Sequence, residues 1–103
     1  MEGHATISTE VLGSYAADAA REVEGVRGLV ESALHRQRGV RVGERDGVVS
    51  LELEVALERG ANVEQVARAV QERVAAYLAR MADVRPASVD IVVAEIDAPP
   101  AAS

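Results

Sequence analysis

Cysteine, lysine, phenylalanine and tryptophan are all missing from this chain, and tyrosine occurs only as Tyr15 and Tyr77. Without cysteine there is no disulfide, no thiol nucleophile and no cysteine-ligated zinc or iron–sulfur site. Without phenylalanine and tryptophan the core has to be aliphatic, and the aromatic platforms on which single-stranded nucleic acids stack are lacking. Positive charge is scarce as well: 11 basic against 17 acidic residues give a formal net charge of −6, which on average repels a phosphate backbone. No apolar run is long enough to span a bilayer, and no basic segment leading into an apolar one marks a signal peptide. The expected compartment is the cytoplasm. Arginine as the sole strong cation, with abundant alanine and valine, is the composition of a GC-rich bacterial genome.

What is present is a set of aliphatic patterns sized for one core. The chain has 103 residues, 49% of them hydrophobic, enough for a single domain. Residues 1–3 read as a leader, and His4–Ile7 as a short strand. Ser8 is placed to cap a helix, with Glu10 in its first turn. Leu12, Tyr15, Ala16, Ala19 and Val23 follow at helical spacing, and Gly25 suits the left-handed residue after a helix end. This predicts a helix over about 9–24. Val26–Val30 reads as a short strand, and a polar, basic stretch to Arg38 as a loop.

From Gly39 the period changes to two. Val40 and Val42 alternate with Arg41 and Gly43. Asp46–Gly47 is a two-residue hairpin signal, since a type I′ turn needs positive φ at both positions. Val49, Leu51, Leu53, Val55 and Leu57 then alternate with Ser50, Glu52, Glu54, Ala56 and Glu58, the pattern of a strand with one face buried and one wet. A turn at 46–47 sets Val42 opposite Leu51, Val40 opposite Leu53 and Arg41 opposite Glu52; a slip of one residue would lose every match. Gly60–Ala61 ends the strand. Asn62, with Gln65 three residues on, predicts a helix N-terminus. Val63, Val66, Ala67, Val70, Val74, Tyr77, Leu78 and Met81 form one apolar stripe to about Ala82, with Pro86 as the outer limit. Ser88–Ile96 is apolar on both faces in part, through Ile91, Val92 and Val93, which fits an inner strand. Residues 98–103 read as a disordered tail. The expectation is one α+β domain over 4–97, with order β-α-β-β-α-β and two amphipathic helices packed on one face of a small, mostly antiparallel sheet.

Reactive constellations are hard to find. His4 and His35 have no partner at metal-ligand or catalytic spacing. The place between first strand and first helix, where ferredoxin-like metal carriers put a cysteine pair, reads Ser8–Thr9–Glu10–Val11–Leu12. The glycines match no phosphate-binding spacing, and no serine sits in a nucleophile elbow. The row Glu52, Glu54, Glu58 could be imagined as a cation site, but its stronger reading is the solvent side of an alternating strand. Arg36, Arg38, Arg41 and Arg45 form a basic region in an acidic chain. It reads either as a solvated hairpin edge or as a docking surface for an acidic protein or anionic headgroups. Arg36, Arg38, Arg41, Glu52 and Glu54 are therefore the candidate protein-interaction residues. Ala69, Ala75, Ala76 and Ala79 give the second helix small residues outside its stripe and leave a close-packed helix interface as the other candidate.

The order of these pieces resembles the alkaline shock protein family of bacterial envelope stress response proteins, the Gls-type general stress proteins. Ile7–Ser8–Thr9–Glu10–Val11–Leu12, Val23–Glu24–Gly25–Val26–Arg27–Gly28 and Gly39–Val40–Arg41–Val42 carry the first half. Leu57–Glu58–Arg59–Gly60, Asn62–Val63–Glu64–Gln65–Val66–Ala67, Val70–Gln71–Glu72–Arg73–Val74 and Ser88–Val89–Asp90–Ile91–Val92–Val93 carry the second. The stretch from Leu29 to Arg38 departs from the family pattern. The resemblance implies a non-enzymatic protein-binding module without cofactor or metal, linked to envelope homeostasis. It would be cytoplasmic, held near the membrane through a membrane-anchored partner, or self-associating into an oligomer. A small-molecule-sensing domain is the alternative. A nucleic-acid-binding domain is the weaker one, for want of a G-x-x-G loop and of positive charge.

Overall fold

The computed structural model describes residues 8–31 and 39–96. The elements run α1 (Thr9–Arg21), β1 (Val26–Leu29), β2 (Val40–Arg45), β3 (Val48–Leu57), α2 (Val63–Ala82) and β4 (Ser88–Ile96). The α+β class with two helices on one sheet is as expected. The strand expected over 4–7 and the tail over 98–103 lie outside the described residues, as do His4 and His35.

Helix α1 begins where Ser8 Oγ accepts the Val11 N–H at 3.1 Å, satisfying one of the donors that a helix start leaves open. It stops at Arg21, three residues short of the expected Glu24. The N–H groups of Glu22 and Val23 bond back only three residues, to the Ala19 and Ala20 carbonyls; that tightened last turn drops Val23 into the core. Helix α2 starts on Asn62, whose Oδ1 accepts the Gln65 N–H at 2.9 Å. It ends on Asp83, left-handed at φ 56°. Its buried line is narrower than the predicted stripe: Val66, Val70, Val74 and Leu78 are buried, whereas Val63 and Met81 are exposed. One residue per turn suffices here because α2 lies between α1 and β4 and meets the sheet along a single row.

The hairpin has the predicted register, Val40 opposite Leu53, Arg41 opposite Glu52 and Val42 opposite Leu51. Asp46 at φ 53° and Gly47 at φ 80° form its turn, both positive as a type I′ turn requires. β3 is the spine. β1 and β2 pair antiparallel with it along one edge, end to end: β1 against 55–57 and β2 against 48–53. Between them Glu54 receives the Val30 N–H on its carbonyl and donates its own N–H to the Gly39 carbonyl, both at 2.8 Å. Val30 and Gly39 thus meet the same residue of β3, so β1 and β2 follow one another along a single edge of it. The backbone is crowded where they meet. Gly39 has φ 77°, and a Cβ there would stand 2.8 Å from the Val30 carbonyl oxygen.

β4 pairs parallel with β3 on the opposite side. Among the described residues it has no second strand neighbour; residues 4–7, expected as a further strand, lie outside them. Pairing β3 with β4 through α2 is a crossover, which the parallel direction demands. The core lies between sheet and helices. Leu51, Leu53, Val55 and Leu57 from β3, Val70, Val74 and Leu78 from α2, and the alanines of α1 are essentially solvent-free. Each such aliphatic side chain contributes roughly 1.5–3 kcal/mol through burial. Alanine at 16, 17, 19 and 20 lets α1 approach closely, and Gly13 brings its first turns within 3.6 Å of Val42. Tyr15 and Tyr77 meet edge-to-face at 5.9 Å between the helices, and Arg73 bonds Glu22 at 2.9 Å across them.

Candidate interaction surface

Both helices cover one face of the sheet, so alternation along the strands turns the other residues outward. Register then builds a row across three strands: Arg41 on β2, Glu52 on β3 and Asp90 on β4. The Arg41 guanidinium is 3.8 Å from the Glu52 carboxylate, a separation beyond hydrogen-bond range, with the arginine mostly in solvent. The next row holds Glu54 beside Val92. Glu52 and Glu54 are half-buried rather than fully wet, because β3 has strands on both sides. Of the five predicted interaction residues, Arg41, Glu52 and Glu54 share this face. Arg36 and Arg38 lie outside the described residues.

Sequence reasoning missed two features of this face. Asp90 belongs to the charged row, which follows only once β4 is known to run parallel to β3. A shallow groove of about 340 Å³ lies beside it, lined by Arg27, Gly28, Leu29, Val30 and Ala56; the small Gly28 and Ala56, paired across strands, leave it open. On the helix side, Arg80 stands over the Tyr77 ring at 5.7 Å, and Ala76 is exposed while Ala69, Ala75 and Ala79 are half-buried. For Glu52, Glu54 and Glu58 the solvent side of the strand is the stronger reading; among the described residues no group of three or more histidines, cysteines or carboxylates could hold a metal ion. Nor is any described helix long and apolar enough to cross a membrane.

Fold and surface together define an α+β domain with helices α1 and α2 on one sheet face and a charged row on the other. The chain belongs to the alkaline shock protein 23 family, a family of cell envelope-related function, whose model matches residues 1–98. None of the curated proteins matches the chain at a significant level. Among solved structures it is similar to the MamM CTD. One variant of that domain is 20% identical with a TM-score of 0.59, covering 87% of this chain and 100% of the other. A manganese form is 22% identical with a TM-score of 0.56, covering 89% and 100%. A zinc form is 19% identical with a TM-score of 0.59, covering 91% and 92%. At such identities the likeness is one of fold.

Proposed function

We propose that this protein is a non-enzymatic protein-binding module of the cell envelope, which acts by docking to a membrane-anchored partner or to itself. The observation that carries this reading is the charged sheet face. Among the described residues no element packs on the side of the sheet away from the helices, and that side carries the row Arg41, Glu52 and Asp90, a surface suited to contact with a macromolecule. Membership of an envelope-related family supports the location. Arg41, Glu52 and Glu54 supply the charged part of the contact, with Arg36 and Arg38 on the adjoining segment. An acidic segment of a partner would be drawn to these arginines, and the attraction would weaken with salt.

The test is fractionation of the native cell expressing R36S/R38S/R41S. The triple variant should fold, since exposed ion pairs contribute at most about 1 kcal/mol, and should leave the membrane fraction. Unchanged fractionation together with unchanged oligomer size would overturn the arginine surface. Turnover of a substrate by the purified protein would overturn the non-enzymatic reading.

A further inference from the structure

β4 has the sequence of an inner strand in the position of an edge among the described residues. Ser88–Ile96 carries Val89, Ile91, Val92 and Val93, with no proline, glycine or lysine. Natural edges are normally blunted by shortness, lysine, proline or a covering element. β4 has one of the usual devices, a bulge where the register skips Ala94 near its end. Its core side is also unfinished. Val89, Ile91 and Val93 stay half-buried, while the β3 residues beside them, Leu51, Leu53 and Val55, are solvent-free.

Above this strand the flank of α2 is low. The Gln71 side chain reaches the Val89 carbonyl at 2.8 Å, which fixes this flank as the one over β4. At helical spacing Ala67, Ala75 and Ala82 share it, all half-buried. Alanines above and half-exposed valines below make an apolar shelf beside a strand edge that pairs with no other strand among the described residues. Helix α1 begins over β2, across the sheet from β4.

We infer that the β4 edge receives an extended segment of a partner protein as an added strand, with apolar side chains alternating with basic ones. The alternation follows from the two faces of the edge. Inward positions of the added strand meet the shelf of Ile91, Val93 and the α2 alanines. Outward positions continue the charged row past its outer end, beside Asp90. Asp90 is exposed at this end of the row, so a cation is the complement. Backbone bonds to the edge supply affinity and the alternating side chains supply selectivity, as in strand addition generally. A second copy of this chain is a poorer occupant. Its β4 would bring Asp90 to the same row, each copy carries a net charge of −6, and its arginine-bearing β2 spans only Val40–Arg45. The inference rests on the protein-binding reading, but its test uses purified protein and a surface opposite the arginines, so each can fail without the other.

The probe is a capped nine-residue peptide of alternating valine and arginine, titrated into the full chain by fluorescence anisotropy and followed by amide hydrogen exchange. The expected result is binding that slows exchange at residues 89–93. A valine–glutamate peptide and a fully N-methylated valine–arginine peptide should each bind at least tenfold more weakly. The variant D90R/V92R should reverse the preference between the arginine and glutamate peptides; if it does not fold, the peptide comparison on the unmodified chain still decides. Protection centred elsewhere, or equal affinity for the N-methylated peptide, would show attraction by charge alone and overturn the inference. Concentration-dependent dimers that protect 89–93 without peptide would assign the edge to a second copy. Full protection of those amides in the peptide-free monomer would assign it to the chain's own terminal residues. Either result overturns it.

Discussion

The two edges of this sheet solve the same problem in different ways. On the β1–β2 side, the strand is cut in two, bulged between Val26 and Gly28, and carries Arg41, Glu44 and Arg45 toward its turn. Each of these features discourages another strand from pairing there. On the β4 side the strand is longer, unbroken until Ala94, and rich in β-branched residues. Both edges hang on one central strand with equal claim to its hydrogen bonds, so the asymmetry is written in side chains and not in the ladder. An edge that is left adhesive while its opposite is blunted separates a surface for strand addition from a surface for charged contact.

The comparison presumes a common core beneath both edges, and the largest expected effect tests that. Val70 is 0% exposed between α2 and β3. Val70→Asp would bury a carboxylate without a partner, costing about 4–5 kcal/mol, much of a small domain's stability. Circular dichroism should show loss of the cooperative transition; unchanged melting would mean the helix does not seal the sheet. Next, the blunted edge depends on its pinch point. Gly39→Val combines positive φ with a Cβ crowded by the Val30 backbone, and is expected to cost about 2–4 kcal/mol in urea denaturation. Gly47→Val sharpens this. Its φ of 80° is nearly the same, but a Cβ there meets nothing within 4 Å, so only conformational strain remains, about 1–2 kcal/mol. Equal losses at the two glycines would show that the crowding at Val30 carries no weight. The smallest effects belong to the side chains that distinguish the edges. Arg41→Gln should change stability by less than about 1 kcal/mol. Val92→Thr, at a position 37% exposed, should stay within about 0.5 kcal/mol. A larger loss at Val92 in the isolated chain would mean that something already covers β4.

The hairpin was the most legible part of the sequence, because a type I′ turn and period-two alternation each fix the same register, and the charge pair Arg41–Glu52 agrees with both. Helix starts were legible for a similar reason: Ser8 and Asn62 have one side-chain oxygen each and one place to use it. The end of α1 was not, since Glu22 and Glu24 are acceptable helix residues and only the short bonds to Ala19 and Ala20 stop the turn. The span of β4 was legible from its β-branched run, but its parallel direction was not, since apolarity on both faces does not say which strand lies beside it. The interaction face was half legible. Arg41, Glu52 and Glu54 sit on adjacent strands of a predicted hairpin. Asp90 joins them only through a parallel pairing that spans the whole of α2, a long-range fact that no local pattern encodes.

The double bond of Glu54 to Val30 and Gly39 has a consequence for how such a domain can change over time. Because the chain leaves the sheet and returns at a single residue of β3, the ladder on either side does not register how much chain lies between. Closing a longer loop over the same base costs only about 0.6 kcal/mol per doubling of its length. The stretch of sequence between Val30 and Gly39 is therefore a place where length and composition can change while the hairpin and the core stay as they are.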